Sequence, residues 1–233
     1  MIRLFYTIVP AARDCGSPVS RAESVRQMHD SAWSLLALSL HRLDPQRFPG
    51  GGAGQLPEVR KGPYGKPAFA DPSLPAFSLS HSGRVALCAV SDSGPVGADV
   101  QYTGEIKSVS EMDHIAADFF HSAEQKRYFS TAEPADRRRL FYTLFCCKES
   151  YVKMTGRGLS DAFDGFCTYF GADGVPERIL DERTRRTAGY PMLIPFPDPA
   201  LQEDYVLACC TDRRHAGCRL LYLDLPSKSF HLT

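Results

Sequence analysis

From Phe145 to Ser160 the chain reads Phe-Cys-Cys-Lys-Glu-Ser-Tyr-Val-Lys-Met-Thr-Gly-Arg-Gly-Leu-Ser, a helix-like run that glycines bring to a stop. At about 100° per residue, Leu140, Phe141, Leu144, Phe145, Tyr151 and Val152 predict one apolar stripe that must face a core. Glu149 and Lys153 stand i, i+4 along the edge of that stripe, so a carboxylate and an ammonium can address one site. By spacing alone they are equally a surface ion pair worth a few tenths of a kcal/mol. Lys148 falls inside the stripe, where an ammonium must snorkel to water or meet a fixed anionic partner. Gly156 and Gly158 suit the positive φ of a helix C-terminal stop.

Two upstream segments extend the pattern. Val85-Ala86-Leu87-Cys88-Ala89-Val90 is a short continuous apolar run, the signature of a strand buried on both faces, and Ser80-His81-Ser82-Gly83 is expected to enter it as a turn. After Ser91-Asp92-Ser93-Gly94-Pro95, a second strand reads Val96-Gly97-Ala98-Asp99-Val100-Gln101. Period two puts Val96, Ala98 and Val100 on one face and Asp99 with Gln101 on the other. Two oxygen-bearing side chains then point the same way, which suits a hard cation such as Mg²⁺.

His81 in Ser-His-Ser-Gly, Asp99 in Gly-x-Asp-Val and the Phe-x-x-Lys-Glu-Ser-x-x-Lys-x-x-Gly-x-Gly-Leu-Ser run together resemble the 4′-phosphopantetheinyl transferases. The nearest type is the one that activates nonribosomal peptide and polyketide synthases. Gly65-Lys66-Pro67 followed by Phe77-Ser78-Leu79-Ser80-His81-Ser82 matches the lead-in, so the resemblance runs from about Lys66 to Ser160 with order and spacing intact. It implies an α+β fold of two pseudo-twofold-related α/β halves with the active site at their interface. It also implies Mg²⁺-dependent transfer of phosphopantetheine from coenzyme A, the co-substrate, to a serine of an acyl or peptidyl carrier protein, releasing adenosine 3′,5′-bisphosphate.

In that reading Asp99, Glu149 and Lys153 are catalytic, and Asp99, Gln101 and Glu149 hold the metal. Lys66, Ser80, His81, Lys148 and Lys153 bind coenzyme A. Gln101 departs from the pattern, since close relatives carry a second acidic residue there; a neutral carbonyl predicts weaker Mg²⁺ binding unless water or Glu105 substitutes. Residues near Arg26 and His29 are candidates for the 3′-phosphate. A metal-dependent phosphohydrolase or nucleotidyl transferase could use the same residue types, but it would normally show a denser acidic cluster or a glycine-rich phosphate loop. A carrier-binding module without catalysis has only Gln101 in its favour.

Composition agrees with this reading. The 233 residues can bury a substantial core, and the 27 basic and 27 acidic residues cancel, which suggests neither nucleic-acid nor membrane-surface binding. Arg137-Arg138-Arg139 and Arg183 with Arg185-Arg186 are local basic clusters that could steer an acidic carrier. The eight cysteines include two adjacent pairs and no Cys-x-x-Cys, so free thiols in a reduced, cytoplasmic protein are expected. No apolar run approaches a membrane span, and the first residues lack a signal-peptide pattern.

Strands are predicted near 2–9, 77–82, 84–91, 96–101, 163–170, 175–180, 190–195, 204–211 and 218–223. Helices are predicted over 20–43, 111–121, 122–131 and 135–155, and Gly50 to Gly54 reads as a flexible loop. The halves are expected at 1–102 and 103–233, in a monomer.

Overall fold

A computed structural model describes residues 1–10, 20–49, 56–106, 108–158, 163–214 and 218–225. In chain order these form β1 (Ile2–Ile8), α1 (Arg21–Leu43), β2 (Val59–Lys61), β3 (Pro67–Phe69), β4 (Ala76–Ser82), β5 (Val85–Ser91) and β6 (Val96–Tyr102). Then follow α2 (Val109–Phe119), α3 (Ser122–Ser130), α4 (Pro134–Thr155), β7 (Phe166–Phe170), β8 (Pro176–Asp181), β9 (Arg186–Leu193), α5 (Pro199–Asp204), β10 (Tyr205–Thr211) and β11 (Arg219–Tyr222).

The strands form a four-stranded sheet in the order β11-β1-β5-β4, a five-stranded sheet β6-β10-β9-β8-β7, and the small pair β2-β3. Strand β5 is buried on both faces, as its apolar run requires. Val85, Leu87 and Ala89 join a core shared with Val96, Ala98, Val100, Leu207 and Cys209 of the other sheet. Ala86, Cys88 and Val90 face the opposite way, against Met28, Ala32, Leu35, Leu36 and Leu40 of α1. Those α1 residues recur at helical spacing, and full burial of each leucine is worth about 1.5–3 kcal/mol. Ser20 and Glu23 start the helix with a reciprocal capping box.

Helix α4 covers the second sheet. It is buried on nearly every side through its middle, against Met112, Phe120 and Tyr128 on one flank and Phe163, Phe166 and Ile179 on the other. The expected single stripe is therefore too narrow, because α2, α3 and β7 close over the side a free helix would present to water. Gly97 explains how α4 lies so close to β6. A Cβ there would stand 1.9 Å from the Ser150 carbonyl oxygen and 2.3 Å from the Met154 nitrogen. The helix ends at Gly156, φ 70°, in the predicted left-handed cap.

The two sheets meet edge to edge without strand pairing. Ser78, Ser80 and Ser82 sit at alternate positions of β4, and their hydroxyls accept from the backbone N–H of Ala98, Val100 and Tyr102 at 3.0, 3.3 and 2.9 Å. These donors lie on the side of β6 away from β10, so three side chains do the work of a neighbouring strand.

Several expectations are corrected. The strand predicted near 77–82 is β4, so only the reading of Ser80, His81 and Ser82 as a turn is corrected: the turn is Gly83 and Arg84. Residues 163–165 form a 3₁₀ turn before β7, and β2, β3 and α5 lack a strong local signal. Two strand pairings among the described residues join residues on either side of 102/103, β6 with β10 and, in parallel, β11 with β1. The Gly50 to Gly54 loop, and Leu159 and Ser160 of the motif, lie outside the described residues.

Candidate active site

A cavity of about 490 Å³ opens between α1 and α4, above the junction of β4 and β6. Ser80 and His81 reach it from β4, Asp99 and Gln101 from β6, and Glu149 and Lys153 from α4. Period two on β6 aims Asp99 and Gln101 at the helix, and one α-turn between Glu149 and Lys153 returns both to the strand.

Asp99 is the hub. Its Oδ1 accepts from Lys153 Nζ at 2.6 Å and from the Ser80 hydroxyl at 2.7 Å, and its Oδ2 accepts from Gln101 Nε2 at 2.8 Å. Lys153 also donates to Ser80 Oγ at 2.8 Å. The Asp99 side chain is 2% exposed and that of Lys153 29%, so the carboxylate is fixed while the ammonium faces the opening. Ser80 thus holds the junction of the sheets and the hub with one hydroxyl.

Burial pushes the Glu149 carboxyl above its usual range; Asp99 adds to the rise and Lys153 opposes it. The two carboxylates therefore feel each other across the cavity. His81 is held below the ordinary imidazole value by burial and then by Lys153 and His29, with Asp99 and Glu105 acting the other way. Its ring is thus a hydrogen-bonding group near neutral pH more than a fixed cation.

Two carboxylates beside an amide carbonyl are an all-oxygen donor set that fits Mg²⁺, a cation that normally keeps waters and substrate phosphates in its remaining positions. Among the described residues no group of three or more His, Cys, Asp or Glu side chains is placed to hold a metal ion.

Two expected cofactor ligands stand elsewhere. Lys148 is fully buried, its Nζ 2.8 Å from Glu124 and donating to the carbonyls of Phe163 and Phe166 at 2.7 Å each. It also lies 4.3 Å from the Phe166 ring centroid. The fixed anionic partner that its place in the stripe demanded is Glu124, and the ammonium has no path to the cavity. Burial pushes its pKa down and Glu124 opposes that. Lys66 spends its ammonium on the carbonyls of Val96 and Met154, at 3.2 and 2.9 Å, while its neighbours Gly65 and Pro67 line the cavity. Desolvation lowers it to about 8.

The cavity also holds residues that had no site role by motif spacing. Trp33 and Lys61 line it, as do Phe145, expected only in the apolar stripe, and His29, which was only a loose candidate. Trp33 Nε1 donates to His29 Nε2 at 3.1 Å, which leaves the ring proton on Nδ1 beside Asp30. The position of Trp33 four residues after His29 on an amphipathic helix was the available signal. Arg137 and Arg138 are partly committed inward: Arg137 donates to the Thr131 carbonyl, and Arg138 to those of Thr103 and Ile106. No helix among the described residues is long and apolar enough to cross a membrane.

Comparison with known proteins bears on the same residues. A 4′-phosphopantetheinyl transferase Sfp from Bacillus subtilis is 36% identical over 152 residues, 62% of this chain and 65% of that protein, so the match spans just under two thirds of the relative's length. A 4′-phosphopantetheinyl transferase HetI from a Nostoc species is 30% identical over 61% of this chain and 68% of that protein. Among solved structures, a holo-(acyl-carrier-protein) synthase from Bacillus anthracis in complex with CoA is 15% identical over 50% of this chain and 92% of that chain. Its TM-score of 0.39 is too slight a likeness to bear on the fold. The profile of the 4′-phosphopantetheinyl transferase superfamily matches residues 95–210, a span that holds Asp99, Gln101, Glu149 and Lys153, and the chain belongs to that family.

Proposed function

We propose that this protein transfers the 4′-phosphopantetheine group of coenzyme A to a serine hydroxyl of an apo acyl or peptidyl carrier protein, releasing adenosine 3′,5′-bisphosphate. One observation carries the reading: the strand carboxylate Asp99 and the helix carboxylate Glu149 line a single cavity with the ammonium of Lys153. The names of the Bacillus and Nostoc relatives support the same activity.

The bond to be broken is a pyrophosphate linkage, so the protein must position the reactants and neutralise charge more than supply covalent chemistry. Asp99 and Glu149, with the Gln101 carbonyl, are the residues that would hold Mg²⁺. Bound there, the ion would supply positive charge to offset the charge developing on the leaving group. Lys153 presents a positive charge to an incoming pyrophosphate, and Ser80 keeps Asp99 and Lys153 in register. His81 offers a ring N–H to a phosphate oxygen at the cavity edge. Glu149 is the carboxylate placed to take the proton of the attacking serine, directly or through a water.

Trp33 and Pro67 give the cavity apolar surface suited to an adenine or pantetheine arm. In this reading residues 1–102 and 103–233 are pseudo-twofold-related halves that exchange the edge strands β6 and β11, so that each contributes most of one sheet under one long helix, in a cytoplasmic monomer. Incubation of an apo carrier with coenzyme A and Mg²⁺ should add about 340 Da to the carrier serine, the mass of the phosphopantetheine group. Cleavage of coenzyme A without any gain on the carrier would mark a phosphohydrolase and refute the transferase.

A further inference from the structure

The β2-β3 ribbon forms one wall of the cavity, through Lys61, Gly65 and Pro67, yet it pairs with neither large sheet. Its strands are three residues each, and so short a two-stranded ribbon does not hold its place by itself. Val59 and Phe69 anchor its base against the α1 core, with the Phe69 ring 4.7 Å from that of Phe77. Its tip is held differently. Tyr64 is 59% exposed there, and the turn is closed by Gly62 donating to the Lys66 carbonyl at 2.8 Å and Gly65 donating to the Gly62 carbonyl at 2.9 Å.

The tip makes a polar contact with α4 and β6. The Lys66 stem lies over Gly156, where an added Cβ would stand 3.0 Å from Lys66 Cδ. Its ammonium donates to the Met154 carbonyl at 2.9 Å and to the Val96 carbonyl at 3.2 Å. Met154 lies in the last turn of α4, whose carbonyls have no later turn to bond, and an ammonium is a favoured partner at that end of a helix. Met154 follows Lys153 directly, and Val96 opens the strand that carries Asp99. One side chain therefore joins the ribbon to both elements that carry the Asp99 and Lys153 pair.

We propose that Lys66 is a positioning residue: its ammonium holds the ribbon wall at a set distance from α4 and β6, and so shapes the cavity for coenzyme A without touching it. Gly65 and Pro67, on either side of Lys66, carry the effect to the ligand. Preorganising a wall in this way raises affinity by removing the cost of ordering it on binding. The choice of coenzyme A as ligand rests on the transferase reading; the holding of the ribbon does not.

Lys66→Met keeps the stem and removes the donors. Hydrogen–deuterium exchange of the unliganded protein, followed on peptides that cover 59–69, should be about tenfold faster in the variant, while peptides covering β5 keep their protection. Titration calorimetry with coenzyme A and Mg²⁺ should give a dissociation constant about fivefold higher. In the carrier assay the KM for coenzyme A should rise by a similar factor with kcat unchanged. Unchanged exchange with weakened binding would overturn the proposal, because Lys66 would then be a direct ligand. Faster exchange with unchanged binding would also overturn it, because the contact would then only stabilise the fold. Carrier modification absent in a wild-type protein that binds coenzyme A counts against the transferase reading alone; absence of that binding refutes both.

Discussion

Lys148 and Lys153 lie on the same helix, each beside a carboxylate, and their surroundings are opposite. The Lys148 ammonium sits 2.8 Å from Glu124 with both side chains essentially unexposed, and two backbone carbonyls take its remaining protons. Lys153 meets Asp99 at 2.6 Å but keeps 29% of its side chain open to the cavity. The first pair is closed on itself and fastens α4 to α3 and β7; in the second the ammonium, bonded to Asp99 and Ser80, keeps one proton for the cavity. A lysine's neighbourhood, more than its place in a motif, decides whether it can handle a ligand.

The sharpest way to break this contrast is to remove charge on the open side. Asp99→Ala or Glu149→Gln should lower carrier modification by about a thousandfold or more with the circular dichroism spectrum unchanged. Turnover within tenfold of wild type would show that these carboxylates are bystanders. On the closed side, Lys148→Met leaves Glu124 buried and unpaired and should cost about 3–5 kcal/mol in urea denaturation, while the folded fraction keeps kcat within a few fold. A large loss of kcat at full stability would return Lys148 to the coenzyme A site.

Lys153→Ala should be milder than either, raising the apparent KM for coenzyme A by about 10- to 100-fold, with a fall in the denaturation midpoint smaller than that of Lys148→Met because buried Asp99 loses its cation but keeps the Ser80 and Gln101 donors. Gln101→Glu restores an anionic ligand and should lower the Mg²⁺ half-saturation concentration by roughly a few fold; equal values for both proteins would take Gln101 out of the ion's surroundings.

The smallest effect concerns Lys66, a third lysine intermediate between the two. Its folded pKa of about 8 lies below the usual 10.5, so the unfolded chain binds the extra proton between those values. Wild-type stability should then rise with pH across that window relative to Lys66→Met, while below about pH 8 the cost of burying the charge is present in full. The partial exposure of the side chain keeps the gain under about 3 kcal/mol, the limit set by 1.36 kcal/mol per unit. Denaturation curves for both proteins at either end of the window decide it.

Much of this was legible along the chain because the informative contacts are local. The β6 alternation aimed Asp99 and Gln101 at one side, the i, i+4 spacing brought Glu149 and Lys153 together, and Gly156 ended the helix where expected. What escaped depends on residues far apart in sequence. Lys148 is closed off by Glu124 and by the carbonyls of Phe163 and Phe166, which no window around position 148 contains. The parallel return of β11 to β1 spans nearly the whole chain. The Ser-His-Ser segment reads both as turn-forming residues and as the end of a predicted strand, and the strand wins because β6 offers serines of β4 three backbone donors. Tertiary demand there overrides local propensity.

Those three hydroxyls also bear on how the protein behaves in a crowded cell. A row of unsatisfied N–H groups along β6 would be an invitation for another molecule to add a strand, the first step toward aggregation. Serine side chains occupy the row without extending it, so the template ends with them. The lining stays narrow enough to leave room for a ligand directly overhead, where an extra strand would have filled the space.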